Sequence, residues 1–334
     1  MKILGIETTC DETAIAVVEN GQTILFHTIA SQAEKHAQWG GVFPEIAARE
    51  HIDAILPMIA KATDKIKQLD AIAVANGPGL IGSLLIGLTT AQALAYSWKL
   101  PLIEVNHVDA HLYAATMGKE SPLFPALGVV VSGGHTFLCK MTAINAYTVI
   151  GQTVDDAIGE AFDKVASMLG YPYPGGPHIE SLAKKGHPDR YCFKAGKIKG
   201  RPLDFSFSGL KTNVLYTIKG KNGHKLSTDV IPEQDKKDVA AGFQKTAFSD
   251  VISKTLKAAQ MFSCQAIYLG GGVTNSSTFR DMFEKQKPCP LYWPPEGLSL
   301  DNAAMIAGLA FHLPLKHFSN VKVVPKVAFK SKLC

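Results

Sequence analysis

Two histidines four residues apart, His107 and His111, are the strongest chemical signal in this chain. At that spacing they share one face of a helix, where both imidazoles can reach one metal ion. The apolar run Pro101-Leu102-Ile103-Glu104-Val105 just before them reads as a buried strand, so the pair stands where a strand passes into a helix. Ligands of open α/β sheets bind at such strand ends. Two imidazoles need a further ligand from elsewhere. Asp301, ahead of the apolar stretch Ala303-Ala304-Met305, would complete a two-histidine, one-carboxylate set, or else serve as an ordinary helix N-cap. The pattern is not the H-E-x-x-H of zinc proteases, because Val108 follows His107 where a glutamate base belongs.

A second group of candidates lies in polar turns between strands. Asp11 and Glu12 sit in the turn Thr8-Thr9-Cys10-Asp11-Glu12-Thr13, placed either as solvated turn acids or as a base or holder of a metal-bound water. The turn Ser132-Gly133-Gly134-His135 repeats the strand–turn–strand form, and Gly270-Gly271-Gly272 follows a third strand. Backbone N–H groups in such turns, and helix N-termini, cradle phosphate oxygens, which suits a nucleotide. None is a P-loop or a Rossmann fingerprint. Asp155, Asp156, Glu160 and Asp163 read as an acidic helix face, and Gly175-Gly176 as a turn where backbone can approach a ligand closely.

Positioning these residues requires a regular α/β frame. The chain predicts a hairpin of Ile3–Glu7 with Ala14–Val18, a helix near Pro44–Lys61, a strand Ala71–Ala75 and the turn Gly77-Pro78-Gly79. A long apolar helix over Ser83–Trp98, a strand pair Leu127–Val131 and Thr136–Met141, a strand Ala266–Leu269 and a helix from Ser276/Ser277 to Phe283 follow. Two similar units imply two related lobes facing one cleft. At 334 residues two domains are the prior, and 46% hydrophobic with 19% charged residues is ordinary globular composition.

No run of about 18 apolar residues argues for a membrane span. The acid at Glu7 comes too early for a signal-peptide core, and Ser331-Lys332-Leu333-Cys334 matches no terminal prenylation or peroxisomal signal. Six scattered cysteines without C-x-x-C spacing read as reduced thiols of a cytoplasmic protein. The net charge of +5 is unevenly spread: residues 184–225 carry eleven Lys/Arg against Asp189 and Asp204. Such a segment is either a solvated loop or a contact surface for a nucleic-acid backbone.

The motifs, taken in order, resemble one family closely. They are Gly5-Ile6-Glu7-Thr8-Thr9-Cys10-Asp11-Glu12-Thr13; His36 with Gly40-Gly41-Val42-Phe43-Pro44-Glu45; Gly77-Pro78-Gly79-Leu80; and Asn106-His107 to His111. They continue through Val131-Ser132-Gly133-Gly134-His135-Thr136, Asp155-Asp156 to Ala166, Tyr173-Pro174-Gly175-Gly176-Pro177, Asp204 to Thr212, Gly270-Gly271-Gly272-Val273 and Asp301 to Met305. This series resembles the bacterial branch of the tRNA N6-adenosine threonylcarbamoyltransferases, once described as O-sialoglycoprotein endopeptidases, within the actin, sugar-kinase and heat-shock-ATPase superfamily.

The resemblance implies two actin-like (RNase H-like) lobes: residues 1–105 with 306–334, and residues 106–305 carrying basic, loop-rich decoration over 171–235. It implies one divalent ion, iron or zinc with magnesium as a hard alternative, on His107, His111 and Asp301. Asp11, Glu12 and His135 would be catalytic. Substrate and nucleotide contacts would fall on Val131, Ser132, Gly133, Gly134, His135, Asp163, Gly176 and Glu180, where many relatives carry Asp. The family's asparagine three residues after the Val of the Gly-Gly-Val motif is replaced by Ser276, with Asn275 one place earlier, so either side chain is a candidate.

The implied reaction moves threonylcarbamoyl from threonylcarbamoyl-AMP to N6 of the adenosine beside the anticodon in tRNAs reading ANN codons. ATP, ADP or AMP are further occupants of the cleft. Implied partners are tRNA, a paralogous inactive subunit, a small P-loop ATPase and an upstream synthase of the intermediate, with no membrane. The competing expectations are an ATP-hydrolysing binding module of the same fold and a metalloprotease.

Overall fold

The computed structural model describes residues 1–119, 121–219, 231–317 and 320–326. The chain divides into two units, one made of Met1–Pro122 and the chain from Trp293, the other of Leu123–Tyr292.

The first unit is built on strands β1 (Lys2–Glu7), β2 (Glu12–Glu19), β3 (Thr23–Ser31), β4 (Ala71–Gly77) and β5 (Leu102–Asn106), in the order β3-β2-β1-β4-β5. The pairs β1–β2 and β2–β3 are antiparallel, while β1–β4 and β4–β5 are parallel. Helices α1 (Ala33–Ala37), α2 (Pro44–Lys65), α3 (Ile81–Trp98) and α4 (His107–Ala114) are interleaved, and α10 (Ala303–Ala310) returns from the end of the chain.

Strand alternation explains the layers. Leu4 and Ile6 of β1 enter a core with Ile55, Ile59 and Leu88 from α2 and α3. Gly5, pointing the other way, lies under α10, where a Cβ would meet the Ala303 carbonyl and the Ala307 methyl. The glycine is there because a helix backbone crosses the strand at that point.

The second unit repeats the topology. Strands β6 (Ala126–Val131), β7 (Thr136–Ala143), β8 (Ala146–Gln152), β9 (Ala266–Gly270) and β10 (Leu291–Tyr292) form a sheet ordered β10-β9-β6-β7-β8. Again the first two neighbours in sequence are antiparallel and the later strands parallel. Its helices are α5 (Ile158–Met168), α6 (Gly175–Ala183), α7 (Ser208–Lys219), α8 (Glu233–Met261) and α9 (Ser277–Glu284). Buried aromatic rings hold them together: Phe248 lies 5.3 Å from Phe162 and 5.0 Å from Phe279, centroid to centroid.

Three expectations need correction. The seams fall at Pro122/Leu123 and Tyr292/Trp293 rather than at 105/106 and 305/306, because α4 packs against α10 and both belong to the first unit. Residues 171–235 are less loop-rich than their composition suggests: they hold α6, α7 and the start of α8, with Leu210, Val214 and Ile218 giving α7 a buried stripe. Part of that region, 220–230, lies outside the described residues. Asp155 and Asp156 precede α5 instead of sitting on its face. Asp155 accepts hydrogen bonds from the Ser206 hydroxyl and the Phe207 amide, and Asp156 pairs with Lys164 and Lys211.

Phe279 is the ring through which α9 joins α8. Phe279→Ala should destabilise the protein by about 3–5 kcal/mol, read from urea denaturation followed by circular dichroism.

Candidate metal centre and nucleotide-facing turns

The metal-ligand candidates are assembled within the first unit alone. Asn106 ends β5 and caps α4, its side-chain oxygen accepting the Val108 and Asp109 amides at 2.8 and 3.2 Å. That cap starts the helix at His107, so His107 and His111 occupy adjacent turns on one face, with ring centroids 4.6 Å apart. Asp301 arrives from the loop before α10. Its oxygen Oδ1 lies 3.5 Å from His107 Nε2 and 3.1 Å from His111 Nε2. One ligand atom from each of the three side chains falls within 4.8 Å of the others. The N-cap reading of Asp301 fails, because Asn302 takes that role and accepts the Met305 amide at 2.9 Å.

Glu7 is a candidate site residue that the sequence reading missed. It ends β1, has no exposed surface, and places Oε2 2.9 Å from His107 Nδ1. A hydrogen bond there requires the proton on Nδ1, which leaves Nε2 directed at Asp301. The other Glu7 oxygen accepts the Thr9 amide at 2.6 Å. A carboxylate behind a histidine is the usual support of a metal-bound imidazole. Glu7 and His107 are 100 residues apart in the chain, so only the folded sheet shows the pair.

The electrostatics suit a cation. Burial alone would lower the His107 pKa, but the carboxylates of Glu7 and Asp301 outweigh it and raise it to about 9. Burial, then Asp301 and Asp11, push Glu12 up to about 10. Both shifts report carboxylates crowded where water is scarce. Neither ring nitrogen of His111 finds a hydrogen bond among the described residues, although the ring is 1% exposed and Nε2 touches Asp301. A buried imidazole whose ring nitrogens find no hydrogen bond, set beside a carboxylate, fits a divalent metal.

Asp11 closes the β1–β2 turn and Glu12 opens β2. The turn is gripped by neighbours: Leu80 donates to the Thr9 carbonyl at 2.9 Å, Thr8 donates to the Ser83 carbonyl at 2.9 Å, and a Cβ on Gly79 would strike Thr9. Glu12 Oε1 accepts a hydrogen bond from the Ser31 hydroxyl at 3.2 Å.

The remaining candidates lie in the second unit, where contacts join them into a closed circuit. Ser132 and His135 close the β6–β7 turn, Ser132 N donating to the His135 carbonyl at 2.9 Å. Gly159 of α5 donates to the Ser132 carbonyl at 3.1 Å, and a Cβ there would meet Gly133 Cα at 2.7 Å. Asp163, one turn further on, accepts the Gly175 amide of α6 at 2.7 Å. Glu180 of α6 accepts from the Ser277 hydroxyl and Thr278 amide of α9 at 2.9 and 3.2 Å. Burial would raise the Glu180 pKa, but these donors and Lys184 hold it below the ordinary carboxylate range. Gly271, at φ +94°, returns to Val131, where a Cβ would collide with the carbonyl.

Ser276 is committed to capping α9, accepting the Phe279 amide at 3.2 Å, whereas the Asn275 side chain is exposed. Gly133, Gly134 and Gly176 differ from the packed glycines. None has a positive φ, and a Cβ on any of them would meet nothing within 4 Å. Neither packing nor backbone conformation demands glycine there, so these positions keep space open.

The duplicated mixed sheets, with turns after the first and fourth strands carrying the polar groups, define an actin-like α/β protein in which one unit holds a His-His-Asp group that could bind a metal ion. Full-length HypF in its phosphate- and nucleotide-bound form shares this fold, with TM-score 0.62 at 13% identity over 93% of this chain and 46% of its own. So does a ROK family glucokinase from Streptomyces griseus, in complex with glucose and AMPPNP, with TM-score 0.52 at 13% identity over 94% and 99%. The family model for tRNA N6-adenosine threonylcarbamoyltransferase matches residues 23–308. A protein of that name from Protochlamydia amoebophila (strain UWE25) is 54% identical over 318 residues, covering 93% of this chain and 92% of its own. Another, from Chlamydia trachomatis (serovar L2b), is 46% identical over 94% and 93%. The chain belongs to the tRNA N6-adenosine threonylcarbamoyltransferase family.

Glu7→Gln keeps the shape and removes the charge behind His107. It should weaken zinc binding about 10- to 100-fold, measured by competition with a fluorescent chelator, with the folded state retained.

Proposed function

We propose that this chain transfers the threonylcarbamoyl group of threonylcarbamoyl-AMP to N6 of the adenosine beside the anticodon in tRNAs reading ANN codons, releasing AMP. The observation that carries the reading is the buried His107–His111–Asp301 cluster in a chain that the family model spans. N6 attacks the carbamoyl carbon, the bond to the AMP phosphate oxygen breaks, and one proton leaves N6.

His107, His111 and Asp301 would hold an iron or zinc ion, with magnesium the hard alternative, which supplies Lewis acidity toward phosphate and carbonyl oxygens. Glu7 fixes the tautomer of His107. The Gly133 and Gly134 amides, which donate to no described residue, serve as hydrogen-bond donors to developing oxyanion charge. The N-termini of α5 and α6, neither with a side-chain cap, add favourable dipoles for the phosphate of the nucleotide. His135 and Asp163 frame that cradle with Val131, Ser132, Gly176 and Glu180, and Asn275 takes the nucleotide contact that the engaged Ser276 hydroxyl leaves. Asp11 or Glu12, neighbours at the end of the β1–β2 turn, accepts the N6 proton.

The tRNA backbone is assigned to the basic segment, reduced to the cations that folding leaves unpaired. Lys184, Arg190, Arg201 and Lys211 are paired with acids of the same unit, and Lys221 and Lys225 lie outside the described residues. Lys185, Lys194, Lys197, Lys199 and Lys219 are exposed and make no ion pair among the described residues. The chain works in the cytoplasm with a paralogous inactive subunit, a small P-loop ATPase and an upstream threonylcarbamoyl-AMP synthase. No described helix is long and apolar enough to cross a membrane. An ATP-hydrolysing module would have no use for the histidine cluster, and a protease would lack its glutamate at Val108.

Purified chain, supplied with the synthase, partner proteins, threonine, bicarbonate, ATP and unmodified tRNA, should yield threonylcarbamoyladenosine by mass spectrometry. His111→Ala should cut the yield at least about 100-fold. Absence of product from wild type, with the partners active beside a known homologue, overturns the reading.

Replacing Lys194, Lys197 and Lys199 together by Gln should weaken tRNA binding at every sequence tested. The log-affinity against log-salt slope should fall by roughly 1 for each phosphate that a lysine no longer neutralises. An unchanged slope returns the segment to a solvated loop.

A further inference from the structure

Between α1 and α2 the chain runs Gln38-Trp39-Gly40-Gly41-Val42-Phe43, and two large rings stand in water there. Trp39 is 57% exposed and Phe43 43% exposed, with centroids 5.5 Å apart and planes at 36°. Two large exposed rings side by side offer flat π surface to a partner. Gly40, at φ +69°, and Gly41 separate them, and a Cβ on either would meet nothing within 4 Å. The rings are flanked by exposed polar residues, Lys35, Gln38, Glu45 and Arg49.

The loop is tied to the β1–β2 turn through buried hydrogen bonds. The Phe43 amide donates to His36 Nδ1 at 3.3 Å, and His36 Nε2 lies 3.0 Å from Gln32 Oε1. Gln32 N donates to the Asp11 carbonyl at 3.0 Å. His51 of α2 donates to the Cys10 carbonyl at 3.0 Å and accepts the Thr13 hydroxyl at 2.8 Å. His36 and His51 have no exposed surface. A buried frame therefore connects the aromatic pair to the turn that carries Asp11 and Glu12.

We propose that Trp39 and Phe43 form a stacking site for an unpaired base of the RNA anticodon loop, adjacent to the adenosine that is modified. The inference rests on tRNA being the substrate. The two rings each present a π face of the size that one unpaired base stacks on. Arg49, exposed and without an ion pair among the described residues, suits the adjoining phosphate.

The test uses the full chain with its partner proteins and a synthetic anticodon stem-loop, with affinity read by fluorescence anisotropy. Trp39→Ala and Phe43→Ala should each weaken loop binding about 5- to 100-fold. Both should leave binding of a fully paired hairpin stem and of zinc unchanged. Trp39→Phe should recover most of the loss, and Trp39→Leu should not, because leucine has no π face. An abasic nucleotide beside the target adenosine should erase the difference between wild type and Trp39→Ala. Loop affinity unchanged in Trp39→Ala, or restored by Trp39→Leu, overturns the site while leaving the transferase reading standing. Intact RNA binding with failed assembly of the partner proteins makes the pair a protein contact and also overturns it. A wild-type complex that binds no loop RNA overturns both this site and the function it serves.

Discussion

The contact between Glu7 and His107 is the constraint on which the first unit turns. A carboxylate with no exposed surface is tolerated only where charge and donors meet it, and here His107 and the Thr9 amide do so. Because Glu7 ends β1 and His107 begins α4, the pair locks the central strand to the helix that carries both imidazoles. It also fixes which nitrogen of His107 faces Asp301. Packing at Gly5 brings α10 across the same strand, so Asp301 is delivered by the element that the β1 glycine admits.

The two units solve the same problem with different chemistry. In each, the turn between the first two strands is pressed by a glycine turn that follows the fourth: Gly79 against Thr9, and Gly271 against Val131. In the first unit that grip holds acids beside a histidine pair. In the second it holds two open glycines with unspent amides. The shared topology fixes where backbone polar groups emerge, and the residues placed there decide whether a cation or an anion is met.

Much of this was legible in the chain. Apolar runs bounded by glycine or polar turns marked β1, β2, β4, β5, β6, β7 and β9, and the spacing of His107 and His111 marked the pair that the fold brings beside Asp301. What was not legible depended on distant partners. Glu7 looks like any acid closing a strand until β5 is laid two strands away and α4 follows it. The stretch with α6 and α7 hid because Gly175, Gly176 and Pro177 are poor helix formers, and because the α7 stripe of Leu210, Val214 and Ile218 is one residue wide. The helix α8 is a different case: Val239, Phe243, Phe248, Val251 and Ile252 carry helical spacing with only Lys245 and Asp250 charged between them, so its signal was present in the chain.

Charge placement shows how folding sorts residues that composition lumps together. The basic segment presented eleven cations, yet several are spent internally. Arg190 bridges Asp235 and Asp238 and pins the segment to α8, while Lys211 joins Lys164 on Asp156 ahead of α5. A cation that neutralises a structural acid has little left for a phosphate, since the acid competes at closer range. The lysines at 194, 197 and 199 make no ion pair among the described residues. They alternate with Ala195, Gly196, Ile198 and Gly200 on a stretch where Gly196 packs against Ser206, so the backbone is anchored while the ammonium groups stay in water. Long-range attraction to a polyanion needs charge that is exposed and unpaired, and an anchored stem lowers the entropy lost when it binds.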